Sequence, residues 1–469
     1  MSEMQARFAA LRESADADAA AALASHVEQA EDRDLCRINA FDFAARYGLR
    51  EDRAIAALLH ASRLGLFDLS WNLLCPGCGG VLDANATLKT VKKAEYNCAL
   101  CAAGYEPTLD EMVEVSFTVS PRLRRISGHD PHSLPLLEYY RQMYWNSGIE
   151  LPKQDYEQYM RRMLLDAVEI PAGEKVILSL QLPKEFVIVF DPVTHGAQFI
   201  DVQGEPTREL QELSVVFNRL RAPTGKTSLR PGPLRLTLDN RTDLRVLPTV
   251  CLAGEHMHQM LGKRKRFLTA KQLLTNQTFR DIYRTDTLDV DQRLKITSLT
   301  FLFTDLKGST SMYERIGDLA AYDLVRAHFQ VLTDVVAQGS GAVVKTIGDA
   351  VMATFPTPER GLAAALGMRE AMRRLNAERR NEDLTLKIGV HEGPCLAVTL
   401  NERLDYFGQT VNIAARVQSL AETRSIFATE PVVGHPDAAR LLSKTGLKAV
   451  AQQFALRGLS DTYKVYEIP

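Results

Sequence analysis

Thr300-Phe-Leu-Phe-Thr-Asp-Leu-Lys-Gly-Ser-Thr310 decides how this chain is read. An apolar run of strand type ends at Asp305, and a Lys-Gly-Ser-Thr loop follows. Further on, Val343-Val-Lys-Thr-Ile-Gly-Asp-Ala-Val-Met352 sets Asp349 beside Gly348 between two more apolar runs. The Gly-Asp pair predicts a tight hairpin turn. One carboxylate then lies at a strand end and the other at a hairpin tip. If the strands pair, both reach one hard cation. Carboxylate oxygens suit magnesium, whose other ligands are water and phosphate. The turn from Leu306 through Gly308, Ser309 and Thr310 into a helix offers backbone N–H groups of the kind that hold phosphate oxygens.

The surrounding elements come in a regular order. Asp318 stands where it can cap a helix whose apolar face is Leu324, Val325, Phe329, Leu332 and Val336, with Gly339 and Gly341 at its end. The hairpin over 342–355 follows, then an Ala/Arg-rich helix over about 359–378. The strand Leu384-Thr-Leu-Lys-Ile-Gly-Val-His391 comes next. The order βαββαβ is ferredoxin-like in outline. Lys345 interrupts an apolar run, and because a buried unpaired ammonium is costly it needs a partner. A third motif is Leu404-Asp-Tyr-Phe-Gly-Gln-Thr-Val-Asn-Ile-Ala-Ala-Arg416. Asn412 and Arg416 are four apart, so on a helix they share one face and can address one ligand.

These three motifs, in this order, resemble the catalytic domain of the class III adenylate/guanylate cyclases from about residue 296 to the C-terminus. The resemblance implies substrate and roles. In that family a lysine donates to adenine N1 and an aspartate accepts from the exocyclic amine. Guanylate cyclases typically carry glutamate at the lysine position. The matching residues are Lys345 and Asp405, which implies ATP as substrate, with cyclic AMP and pyrophosphate as products. Two Mg2+ or Mn2+ ions at Asp305 and Asp349 are implied. Asn412 would orient the ribose, Arg416 would stabilise charge on the phosphate, and Arg457 would meet the terminal phosphates. The family's site is shared between protomers, so a homodimer is implied. Only ten residues separate Pro394 from Asp405, short for the family's dimer arm. The alternative is a cyclase fold that only binds nucleotide or a partner. Such proteins usually lack a metal or base residue, and every such position placed here is filled.

At 469 residues the chain is too long for one core, and an α+β multidomain protein is expected. Hydrophobic residues at 46% and charged residues at 24% fit packed globular domains. A net charge of -2 gives no general pull toward nucleic acid or an anionic membrane. No apolar run nears the roughly 20 residues that span a bilayer. The start, Met-Ser-Glu-Met-Gln-Ala-Arg, has no apolar signal core, so a cytoplasmic protein is expected.

The expected plan has six parts. Residues 1–70 are helical and winged-helix-like, a form that can bind DNA, but no basic stripe accompanies it. Residues 71–120 are a zinc ribbon and 121–165 a helical connector. An antiparallel β-sandwich occupies 166–262, a helical linker 263–295, and the catalytic domain 296–469. The ribbon rests on Cys75-Pro-Gly-Cys78 and Cys98-Ala-Leu-Cys101, 19 residues apart. Two such knuckles fit one structural Zn2+ per chain, with no position open for catalysis. A rubredoxin-like iron site and a disulfide or redox pair are the alternatives.

Cys36, Cys251 and Cys395 read as buried small hydrophobes. His129 and His132 read as surface or structural histidines, and His256 and His258 as an unsupported pair on a strand. The basic run at 263–266 reads as a solvated linker, and 269–287 as a helix placed to transmit motion. Trp71-Asn-Leu-Leu-Cys-Pro-Gly-Cys78 followed by Val113-Glu-Val-Ser-Phe-Thr-Val-Ser-Pro121 resembles the uncharacterised region ahead of the cyclase domain in some bacterial two-part cyclases. By position it implies regulation, by a small molecule or a protein.

Overall fold

Alanine-rich sequence with polar caps makes four helices at the start: Glu3–Ser14, Ala17–Gln29, Ala40–Tyr47 and Glu51–Arg63. Asp16 accepts from the Ala19 N–H, and Asn39 from Phe41 and Asp42, which meets donors that no helical carbonyl reaches. This computed structural model describes all residues except 1–2, 92–94, 153–154, 219–223, 284–287, 289–291, 380–383, 422–424 and 460. The chain forms two units. The first holds Met1–Ala86, Lys93–Pro107 and Glu111–Leu268; the second holds Thr87–Lys92, Thr108–Asp110 and Thr269–Pro469.

In the first unit, Phe67–Leu74 is the middle of three antiparallel strands, between Val81–Asn85 and Val113–Val119. The fully buried acid on this sheet, Glu114, is satisfied. Glu114 accepts from Asn72 Nδ2 and from the Ser147 N–H, both at 2.9 Å. Among its described residues the connector carries short helical turns, the longest of them Leu136–Tyr139, Tyr140–Tyr144 and Tyr156–Arg161. His129 bridges the Ile126 N–H and Val119 O, a structural use. Among the isolated cysteines, Cys251 and Cys395 are buried, whereas Cys36 is only partly so.

Two sheets follow. Lys175–Leu182, Gly232–Asn240 and Gln211–Phe217 make one; Leu164–Ala167, Thr249–Leu252, Phe186–Asp191, Gly196–Val202 and Thr224–Leu229 make the other. Leu178, Val215 and Leu236 of the first share a core with Val187, Ile200 and Val250 of the second. Antiparallel pairing was expected, but two ladders are parallel: Gln211–Phe217 on Gly232–Asn240, and Thr224–Leu229 on Gly196–Val202. The chain changes sheet at each of these successive strands. In these two cases the return runs in the direction of the strand it rejoins, whereas Thr249–Leu252 comes back antiparallel to Phe186–Asp191.

Two smaller expectations are corrected. His256 and His258 lie exposed on the helix Glu255–Gly262, not on a strand, and two-residue spacing on a helix points them apart. The basic run at 263–266 is exposed as expected, but three of its four side chains are paired rather than free in solvent. Lys265 pairs with Asp42, Arg266 meets Glu51 at 2.8 Å, and Arg264 donates to Gly77 O at 2.8 Å. Asp42 and Glu51 sit in first helical turns, so only the folded chain reveals these partners.

In the second unit, Leu294–Leu306 is the central strand. It pairs with Ala350–Phe355 on one side and Leu386–Leu400 on the other, with Ala342–Ile347 at the edge. Numbered along the chain, these four stand in the order 2-3-1-4, the ferredoxin-like arrangement expected of βαββαβ. Ile426–Thr429, Thr462–Ile468 and Val450–Ala455 extend the sheet, and Arg403–Phe407 forms a hairpin with the end of Leu386–Leu400.

Helices Asp318–Gln338 and Pro358–Arg379 bury Leu324, Leu332, Leu362 and Met368 with Leu302, Phe355 and Val390 of the sheet. Each such side chain contributes roughly 1.5–3 kcal/mol by leaving water. Gly317, not Asp318, caps the first of these helices. Asp318 is its first residue and acts through its charge on the helix terminus. The expected linker helix is two short ones, Ala270–Leu274 and Gln277–Ile282, capped by Thr269 and Asn276. Its continuation over 284–287 lies outside the described residues.

Candidate functional site

Asp305 occupies the penultimate position of the central strand. Thr304 stands opposite Val351, so the next residues out bring Asp305 toward the Gly348-Asp349 turn. Gly348 has a φ of 63°, the left-handed conformation a tight hairpin requires. Burial first, and the Asp349 charge second, lift the Asp305 carboxyl above its usual range; Lys387 and the Leu306 N–H oppose this. Asp349 Oδ2 is shut off from solvent with no hydrogen-bond partner among the described residues. Two close carboxylates, one with an orphaned oxygen, are a donor set that fits a divalent cation.

The loop after Asp305 turns at Gly308, with φ 70°, into the helix Ser309–Ile316, which no side chain caps. Leu306 is packed in the core, while Gly308 and Thr310 are exposed and Ser309 half-buried. Tyr313 on this helix is pushed up by burial and then by Asp349 and Asp305. His328, fully buried on the helix Asp318–Gln338, is pushed down to about 4 by burial, against the pull of Asp349. Neither Tyr313 nor His328 was singled out from the sequence. His328 was findable, because it lies four residues from both Leu324 and Leu332 in the apolar stripe.

Lys345 and Asp405 come together. Lys345 Nζ donates to Asp405 Oδ2 at 2.5 Å. The lysine side chain keeps 43% of its accessibility and the aspartate 10%. The expected partner exists, but Lys345 is exposed, so buried charge is not the reason for it. Asp405 Oδ1 also accepts from the Tyr406 N–H at 2.8 Å.

Asn412 and Arg416 lie one turn apart on the helix Gln409–Ser419, Asn412 exposed and Arg416 half-buried. This helix runs against Leu386–Leu400. A Cβ on Gly389 would stand 2.2 Å from the Gln418 backbone nitrogen, so glycine there permits the approach. Arg416 Nε is buried without a partner among the described residues, and a Cβ on Gly458 would stand 3.5 Å from Arg416 Nη2. Arg457, exposed, is the neighbour of that glycine.

In the first unit, the sulfurs of Cys75, Cys78, Cys98 and Cys101 lie within 4.8 Å of one another. Cys75 and Cys101 are 3.6 Å apart and Cys78 and Cys98 3.7 Å. A tetrahedron of zinc–sulfur bonds near 2.3 Å has edges of about 3.8 Å, so the donor set fits that ion. The Cys78 and Gly80 N–H groups point at Cys75 and Cys78 sulfurs, as thiolate acceptors require.

Two family models match the chain. One, described as a family of unknown function (DUF5939), covers residues 1–281; the other, the adenylate and guanylate cyclase catalytic domain, covers 292–463. The adenylate cyclase of Anabaena cylindrica is 26% identical over 185 residues, 36% of this chain and 36% of that protein. Adenylate cyclase 2 of Rhizobium meliloti is 32% identical over 135 residues, 26% of this chain and 37% of that protein. The chain thus spans little more than a third of the length of these relatives. The crystal structure of the adenylyl cyclase CyaB from P. aeruginosa aligns over 38% of this chain and 96% of that one, at 22% identity and a TM-score of 0.34.

Proposed function

From the premise that this chain belongs to the family of unknown function DUF5939 and carries an adenylate and guanylate cyclase catalytic domain behind that region, we propose that it converts ATP to 3′,5′-cyclic AMP and pyrophosphate. The observation that carries the reading is the Lys345–Asp405 pair. An ammonium donor beside a carboxylate acceptor complements adenine, whose N1 accepts and whose 6-amino group donates. Guanine presents the reverse pattern and is disfavoured there.

Asp305 and Asp349 would hold two divalent ions. Bound there, Mg2+ or Mn2+ would lower the pKa of the ribose 3′-hydroxyl and neutralise phosphate charge. The chain's own contribution is positioning and electrostatics. Asn412 orients the ribose so that its 3′-oxygen faces the α-phosphorus. Arg416, one turn on, offers its guanidinium where charge builds as pyrophosphate leaves. Arg457 and the N–H groups from Gly308 to Thr310 meet the outer phosphates. The active form is a homodimer, in which the aspartate pair of one protomer faces the base and ribose groups of the other. The four cysteines hold one structural Zn2+, and the N-terminal half regulates the enzyme in the cytoplasm. Among the described residues no helix is long and apolar enough to cross a membrane.

The test is product analysis. Purified chain with ATP and Mg2+ or Mn2+ should yield cyclic AMP and pyrophosphate in equal amounts. ADP and phosphate, or no turnover by a dimer that binds ATP, would refute it.

A further inference from the structure

Lys345 and Asp405 stand on Ala342–Ile347 and Arg403–Phe407, strands that share no ladder among the described residues. The helix pair Ala270–Leu274 and Gln277–Ile282 ties the two strands together instead. Arg280 Nη2 donates to Leu404 O at 2.7 Å and reaches Val344 O at 3.5 Å. These carbonyls belong to the residues immediately before Asp405 and Lys345. Gln277 Oε1 accepts the Val343 N–H at 2.8 Å, and Tyr406 Oη donates to Leu274 O at 3.3 Å. Each strand is therefore held at two adjacent points.

The Arg280 guanidinium also lies 5.9 Å from the centroid of the Tyr406 ring, and its Nη1 is buried. Tyr406 is itself buried, edge-on to Phe301 of the central strand. Nη2 is thus turned to two backbone carbonyls beside the Tyr406 ring, while Nη1 is buried with no hydrogen-bond partner among the described residues.

We propose that Arg280 is a positioning residue for base choice: it sets the spacing of the two strands at which Lys345 and Asp405 read one purine edge. This rests on the reading of those two residues as base contacts. Hydrogen bonds tolerate only a few tenths of an ångström before they weaken, so discrimination depends on that spacing. A planar guanidinium reaches two carbonyls at once, which a lysine ammonium on a flexible stem does poorly. Arg280 hydrogen-bonds to strands that carry the base pair, and the helix bearing Asn412 and Arg416 is a separate element. Its effect should fall on KM and on base choice more than on kcat.

The experiment compares full-length Arg280→Ala, Arg280→Lys, Lys345→Ala and unmodified protein, with kcat and KM for ATP and GTP and the thermal midpoint of each. Arg280→Ala is expected to raise KM for ATP and to lower the ATP-to-GTP ratio of kcat/KM by about tenfold, the usual weight of a lost charge-assisted hydrogen bond. Arg280→Lys should fall between it and the unmodified protein. A loss of kcat alone at constant ratio overturns the proposal. So does an unchanged ratio in Arg280→Ala while Lys345→Ala shifts it, and in that case the base assignment stands. If Lys345→Ala also leaves the ratio unchanged, the base assignment falls and takes the proposal with it. Should Arg280→Ala fail to fold, Arg280→Lys decides: a ratio equal to that of the unmodified protein overturns the proposal.

Discussion

Lys345 Nζ and Asp405 Oδ2 meet at 2.5 Å although they stand 60 positions apart on strands that share no ladder among the described residues. The lysine is exposed and the aspartate buried, and on our reading a base shares both groups. Lys345→Glu combined with Asp405→Cys should lower the ATP-to-GTP ratio of kcat/KM by tenfold or more, on the order of the discrimination that matched polar groups supply. Initial rates with each nucleotide check this. An unchanged ratio contradicts the base assignment.

Asp349 holds a buried oxygen without a partner among the described residues, next to an acid whose proton affinity it raises. Asp349→Ala removes that repulsion and, on our reading, the cation's second ligand. Turnover should fall by at least about 10²-fold, while the thermal midpoint without added metal stays level or rises. Substantial residual cyclase activity contradicts the metal role.

The functional candidates were legible because each sits in a short motif with its own local geometry. Asp349 needed only a Gly-Asp turn between strands, and Asn412 and Arg416 only helical spacing. The structure keeps both features. The partners of 263–266 were not legible, because Asp42 and Glu51 lie more than 200 residues away in sequence. The parallel ladders were hidden for a related reason: alternation along a strand reports burial, not which sheet the next strand joins. His328 was missed because the stripe was read for apolar residues alone. Arg280 carried no motif, and its role follows only from where two distant carbonyls converge.

His328 supplies a pH dependence. Its folded-state pKa, about 4, lies below the 6.5 of an exposed histidine, so the unfolded chain binds the proton more readily between those values. Stability from this group is complete above about pH 6.5 and is lost as pH falls toward 4. Between pH 7 and 5 the loss is about 2 kcal/mol for this one group. His328→Leu should therefore show a smaller drop in denaturant midpoint over that interval than the unmodified protein. Equal drops contradict the assignment.

The four-cysteine cluster makes a compositional prediction. Protein purified without chelator should contain about one zinc per chain, and Cys75→Ser should lose it together with several kcal/mol of stability in the first unit. Elemental analysis and thermal unfolding measure both. A zinc-free unmodified protein, or one whose cluster holds iron, contradicts the structural-zinc reading.

Product identity decides between a cyclase that selects ATP and one that does not. Full-length protein is incubated separately with ATP and GTP, each with Mg2+ and with Mn2+, and cyclic nucleotide is quantified. Cyclic AMP from ATP is expected, abolished in Asp349→Ala, with little or no cyclic GMP. Cyclic GMP from GTP at an equal or greater rate would contradict selection of ATP.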